Sequence, residues 1–441
     1  MKPKKKFLKT TEVLIRILFI VAIVFFVMLS LQSCVDNCQT TTTYTYFEPV
    51  YQTTEEIRQQ FEIQDPRDLV SPGKIYMLGD FLFINERGEG IHIIDNSIPS
   101  NPMKLKFINI PGNFDMAAKG GFLYADNYID LLAIDIRDLS NIQLVKRVEN
   151  VFPMYNNQFG FWADDGMVIT GWEEKQTVAV NQDCDNNAGE IWLFNDMIAL
   201  REGFDIAASA APQSVPNSPI GIGGSMARFA IYTDLLYTID DYQMTVFNID
   251  NLYDPLPGNV INMGWGIETI FPYKDKLFIG AQNGMHIYDN ATPTEPVYIS
   301  SFLHVTTCDP VVVNDQYAYV TLRSGNACNG FTNQLDVINI EDLNNPYLVK
   351  SYSMQNPHGL GLDGQTLFIT EGEFGLKVFD ATDPNTIDDN LIKQFQDIHG
   401  YDVIPNNGVL MMIGDDGLYQ YDYRDIENIE LLSVIPVIKD L

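Results

Sequence analysis

The sequence predicts an all-β protein, an eight-bladed β-propeller of four-stranded antiparallel blades, with a seven-bladed ring as the alternative. Three observations lead there. The 441 residues are 46% apolar and 12% aromatic, with only 19% charged, a composition that favours strands over disorder or coiled coil. A short apolar strand centre recurs eight times, at Leu82, Leu123, Val168, Leu236, Phe278, Ala318, Phe368 and Met411. Its spacings of 41, 45, 68, 42, 40, 50 and 43 residues lie, but for one, near the length of a four-stranded blade.

Each centre is followed by a second apolar stretch ending in an acid or amide, as in Gly90-Ile-His-Ile-Ile-Asp95, Leu131-Leu-Ala-Ile-Asp135 and Gly375-Leu-Lys-Val-Phe-Asp380. Alternation puts one face of such a strand into a core. The terminal Asp or Asn can accept a backbone N–H two residues on and open a turn. Prolines at Pro102, Pro346 and Pro384 then stop the pairing. A strand before the centre and another after the turn complete four per repeat. Four short strands cannot bury both faces alone, and stacking blades in a ring supplies the missing contacts.

The second-strand text, with its following Asp-x-x-x-Asn-Pro turn, is similar to the LVIVD repeat of large bacterial envelope proteins, many of them lipoproteins. The resemblance covers roughly residues 74–437 and includes Cys308-Asp-Pro-Val-Val-Val313 and Tyr319-Val-Thr-Leu-Arg-Ser-Gly325. It implies a propeller and export, and carries no substrate.

Residues 1–33 read as an export signal. Positive charges at Lys2, Lys4, Lys5, Lys6, Lys9 and Arg16 precede the apolar run 17–31. As a helix that run spans roughly 22 Å, short for a bilayer core of about 30 Å. Leu31-Gln32-Ser33-Cys34 resembles the bacterial lipobox, which implies cleavage before Cys34 and diacylglycerol on its sulfur. Residues 34–70 follow as a Thr-rich polar tether, and 71–441 as the propeller. The expected address is the bacterial cell envelope, at the outer membrane, with the lipid on Cys34 as the membrane contact. The 68-residue interval carries a polar, then Ala/Ser/Pro/Gly-rich insertion near 174–222, read as a long loop on the third blade.

The formal charge is −31, and six of the 27 basic residues but only one of the 58 acidic ones precede Cys34. So acidic a body repels phosphate backbones, which excludes nucleic acid as a partner, and attracts cations and basic proteins.

No common catalytic signature is present. Gly223-Gly-Ser225-Met-Ala227 approaches a nucleophile elbow but has Ala where the second Gly is needed. His92 and His286 occupy the same strand slot in two repeats and read as strand surface. His358 and His399 each precede the first strand of a repeat, and Asp115, Glu268 and Asp309 lie at comparable points. Innermost strands line the channel of a propeller, so these five are candidates for a ligand site on its rim. Asn181, Asp183, Asp185 and Asn187 alternate like a calcium loop, without its Gly and acceptor Glu, and make Ca²⁺ the one candidate cofactor. Cys308 and Cys328 fall at one end of the same predicted blade, where a disulfide fits an exported protein. Cys38 and Cys184 have no evident partner.

Two functions follow. One is a binding or assembly scaffold on the envelope, holding a protein or small molecule at the rim. The other is a metal-assisted hydrolase or lyase using the channel-mouth carboxylates and histidines. A quinone-cofactor dehydrogenase is disfavoured, since the chain has only four Trp.

Overall fold

Seven stretches of the chain each fold as four antiparallel strands in the computed structural model, which describes residues 17–23, 25, 40–153, 157–158, 160–181, 220–304, 310–324 and 332–438. The chain divides into two compact units. The first comprises residues 1–46 and 174–192; its described residues are helical at 17–23 and 25 and extended at 40–46 and 174–181. Among the described residues no helix is long and apolar enough to cross a membrane.

The second unit, residues 47–173 and 193–441, carries the propeller. Its blades, numbered along the chain, span 72–109, 116–148, 229–262, 267–303, 311–353, 360–395 and 400–436. Within each blade the four strands run from the inside outward in chain order. The innermost strands neighbour one another in a closed cycle, with Pro72–Leu78 of blade 1 beside both Met116–Lys119 of blade 2 and Gly400–Asn406 of blade 7.

The repeated text has repeated consequences. Leu82, Leu123, Phe278 and Phe368 all sit in the second strand of their blades and are buried. At the end of every third strand the side chain of Asp95, Asp135, Asn248, Asp289, Asn339, Asp380 or Asp422 accepts the backbone N–H two residues on, at 2.8 to 3.1 Å. These are the turns the sequence predicts. Between the third and fourth strands every blade has a break in register, which adds the twist that lets sheets stack around an axis. Gly90 and Gly417 open third strands at positive φ, and a Cβ on either would lie 2.0 Å from a fourth-strand carbonyl oxygen. Only glycine fits there.

The ring closes without an exchanged strand. Leu69 and Val437 form a parallel bridge, and the Ile438 N–H donates to the Leu69 carbonyl at 2.8 Å. Ile75, Met77, Leu82 and Ile94 of blade 1 share a core with Ile404, Met411, Ile413 and Leu418 of blade 7, so burial of apolar surface joins the two ends of the propeller.

Eight apolar centres predict eight blades, and the described residues form seven. The exception is the third centre. Met167, Val168 and Ile169 begin a strand, Met167–Asn181, that pairs with Thr40–Thr53 and not within a blade. Val168 is buried against Ile57 and Ile129, on the flank of blade 2. The inner strands of blades 2 and 3 are direct neighbours, which leaves no place in the cycle for another. The second strand expected in this repeat, 191–195, lies outside the described residues.

Candidate functional site

The chain returning from the insertion does not stay on the outside of the ring. Residues 220–227 run between the innermost strands. Ile222–Gly223 pair with Met77 and Tyr76 of blade 1, and the Gly221 N–H donates to Ala118 of blade 2 at 2.9 Å. Ser225 donates through Oγ to Asp402 Oδ1 of blade 7 at 3.1 Å and accepts from the Leu360 N–H of blade 6 at 2.8 Å. The Ala227 carbonyl accepts from the Ile270 N–H of blade 4 at 2.9 Å, and the next residue leads into blade 3. One short segment thus ties six blades together at the axis. Its glycines are required by close approach: a Cβ on Gly221 would lie 2.2 Å from the Tyr76 ring, and one on Gly224 would lie 1.8 Å from Asp402 Oδ2. The near-elbow at Ser225 is therefore a buried pin, its hydroxyl engaged on both sides.

Buried charge surrounds this segment. Lys74 and Asp115 form an ion pair with both side chains about 4% exposed. Asp115 also accepts the N–H groups of Arg228 at 2.6 Å and Met116 at 2.7 Å. Burial holds the Lys74 ammonium below its ordinary range, opposed by Asp115. Burial raises Asp126, which accepts from Asn113, Phe114 and Asp115. It also pushes Asp402 up to about 7, against hydrogen bonds from Val403 and Ser225. Asp402 Oδ2 is buried and accepts no hydrogen bond among the described residues, as suits a carboxyl group that keeps its proton.

In an antiparallel meander, the loops leading into the inner strands lie at the same end as the hairpins joining second and third strands. On that rim the structure brings His358 and His399 against Tyr401, with ring centroids 5.4 and 5.1 Å from it. His358 is 4% exposed. Arg323 Nη1 of blade 5 lies 2.6 Å from its Nδ1 and 2.9 Å from its Nε2, and one of these two nitrogens can accept from it only in a neutral imidazole. Burial first, then Arg323, His399 and Arg87, hold His358 well below the usual histidine range. The Arg87 guanidinium of blade 1 lies 4.9 Å over the Tyr401 ring. His399 is a third exposed, with Nδ1 3.3 Å from Asp415 Oδ2 and its N–H on Asp416 Oδ2 at 3.1 Å.

The other rim candidates go elsewhere. Asp115 is buried, held by Lys74 and by the N–H of Arg228. Glu268 is half-buried and accepts from Gln282 Nε2 at 3.2 Å. Asp309, Cys308, Cys328, Cys34, Asp183, Asp185, Asn187 and the Asn181 side chain lie outside the described residues. Among the described residues no group of three or more His, Cys, Asp or Glu could hold a metal ion.

His92 and His286 correct the expectation of strand surface. Both are buried, His92 with Nε2 2.7 Å from Glu86 Oε2 and His286 with Nδ1 2.5 Å from Ser301 Oγ. A third strand is covered on both faces by the adjoining blades. Sequence reasoning missed Arg87, Arg323 and Tyr401. The signal for the two arginines was their place just after a second strand, in a hairpin that shares the rim with the histidines.

This ring of four-stranded sheets is a β-propeller, the class the fold defines. The family model described as the LVIVD repeat matches residues 73–108 and 114–150, one match to each of the first two blades. The chain carries LVIVD repeats on a propeller frame, consistent with the family the sequence resembles. No curated protein matches it. A crystal structure of a protein from Lactobacillus plantarum is similar in fold, with TM-score 0.52 and 11% identity over 83% of this chain and 97% of that one. Sqt1 from Saccharomyces cerevisiae aligns over 86% and 89% of the two chains at 8% identity and TM-score 0.49. The computationally designed Ika8 protein aligns over 84% and 89% at 9% identity and TM-score 0.46.

Proposed function

We propose that this chain is an envelope-anchored binding scaffold, exported, lipidated at Cys34 and capturing its ligand on the propeller rim. One observation carries the choice of the rim. Residues 220–227 bridge the inner strands at the axis, so a ligand meets the ring at its mouth and not along its channel. The fold likeness and the repeat matches support the propeller body and say nothing of the ligand. The lipobox-like Leu31–Cys34 and the apolar run before it support the anchor.

The test uses the full chain expressed in a bacterium with a double membrane. Wild type should lose residues 1–33 and take up radiolabelled fatty acid, and Cys34→Ser should do neither. Crosslinking in intact envelopes should then recover a partner that Tyr401→Ala and His399→Ala lose. A crosslinked set unchanged by both substitutions rejects the rim, and a Cys34→Ser protein that still takes up the fatty acid, or a wild type that does not, rejects the anchor.

A further inference from the structure

We propose that the outer edge of blade 4 is the contact by which two copies of this chain pair, strand to strand, into a symmetric dimer. The outermost strand of a blade presents a row of unpaired backbone N–H and C=O groups, and proteins blunt such edges with charge, proline or a covering segment. Six of the seven blades do so. Residues 62–64 pair with the fourth strand of blade 1, which also holds Lys104 and Lys106. Blade 2 has Lys146 and Arg147, blade 3 has Pro257, blade 5 has Lys350, blade 6 has Lys393, and blade 7 has Glu430 and Pro436. Blade 4 ends in Val297-Tyr-Ile-Ser-Ser-Phe-Leu303, with no charge and no proline. Among the described residues nothing pairs with its free side, and Val297, Tyr298 and Leu303 are 59, 53 and 65% exposed. The break in register is common to all seven blades, so blade 4 differs in its side chains alone.

Two features of this strand select a second copy as its occupant. The first is self-complementarity. Antiparallel pairing about a dyad at Ser300 sets Val297 against Leu303, Tyr298 against Phe302, Ile299 against Ser301, and Ser300 against its own counterpart. Apolar groups meet apolar groups at both ends, so one patch serves both copies, as a twofold axis requires. The second is charge. With 58 acidic residues against 27 basic ones, two copies repel over most of their surface. An uncharged edge lets them approach without setting like charges opposite one another. The cation beside it is engaged within the blade, since Lys276 pairs with Asp275 and Asp289. The strand is also fixed from within. Ser300 Oγ donates to the Leu343 carbonyl of blade 5 at 2.5 Å, and Ser301 Oγ bonds His286 at 2.5 Å and Tyr298 at 2.8 Å. An edge held in this way has little ordering left to lose on pairing.

The experiment follows sedimentation velocity of the full-length protein in detergent over a range of concentrations, with a melting curve for each variant. Wild type should reach a dimer. Val297→Lys with Leu303→Lys sets like charges opposite each other at both ends of the paired strands. It should weaken association at least about tenfold and leave the melting temperature unchanged, since both residues are exposed. Val297→Glu with Leu303→Glu should associate as weakly with itself, and an equimolar mixture of the two variants should recover the dimer. Leu431→Lys with Val434→Lys, on the exposed fourth strand of blade 7, should leave association at the wild-type level. A wild type that stays monomeric overturns the proposal and leaves the edge to a different protein or to residues 182–219. Association that the blade 4 Lys pair does not weaken overturns it too, as does an equal loss from the blade 7 pair or a mixture that fails to recover. None of these outcomes bears on capture at the rim, which crosslinking with Tyr401→Ala and His399→Ala decides.

Discussion

Asp402 shows how one residue can tie the ring to pH. Burial pushes its carboxyl from 3.8 in a free chain up to about 7. Between those values the folded protein holds a proton that the unfolded chain releases. Stability from this group is therefore complete below about pH 4 and is lost as pH rises toward 7, by up to about 1.4 kcal/mol per pH unit. His358 acts in the opposite sense. Its proton affinity is lowered in the fold, so stability falls as the unfolded chain protonates below about pH 6.5. Asp402→Asn removes the first slope and leaves the second. Urea unfolding at intervals between about pH 4 and 8 should show stability of the variant rising with pH where wild type is flatter. Parallel curves for the two proteins would mean that Asp402 is ionised in the fold.

At the scale of the element, the seven Asx turns are the most regular feature of the propeller. Five use Asp, and two use Asn, at Asn248 and Asn339. The acceptor oxygen is what the turn needs, and the charge is not. Asp380→Ala, which loses the bonds from the N–H and hydroxyl of Thr382, should cost about 1 kcal/mol in chemical unfolding, while Asp380→Asn should stay within about 0.5 kcal/mol of wild type. The axial segment behaves differently, since its demand is for space. Gly224→Ala places a methyl group against Asp402 and should lower the melting temperature by several degrees, roughly what about 2 kcal/mol of overpacking costs. A melting temperature equal to wild type would mean that the segment is not seated at the axis.

The whole molecule shows which features were legible in its sequence. Strand centres and turn acids could be read because each is set by neighbours a few residues away. The number of blades could not be read in this way. Met167, Val168 and Ile169 have the same alternation as their counterparts, and only their distant partner, Thr40–Thr53, distinguishes them. The rim site was half legible. His358 and His399 stood out by their place before an inner strand, whereas Arg87, Arg323 and Tyr401 join them only because the ring brings blades 1, 5 and 7 to one mouth. The axial role of 220–227 was hidden for the same reason, its partners being scattered from Tyr76 to Asp402.

Closure by the Leu69–Val437 bridge makes every joint between blades equivalent in kind, since none depends on a strand lent across it. The order in which the sheets are threaded is then not what holds them in a circle. A circular permutant that links residue 438 to residue 69 and opens between blades 4 and 5 should refold to the same far-ultraviolet spectrum, with a melting temperature within about 10 °C of the parent. A permutant that cannot regain the ring would reveal that the joint between first and last sheets is a latch, and that the propeller is in effect a closed strap with one buckle.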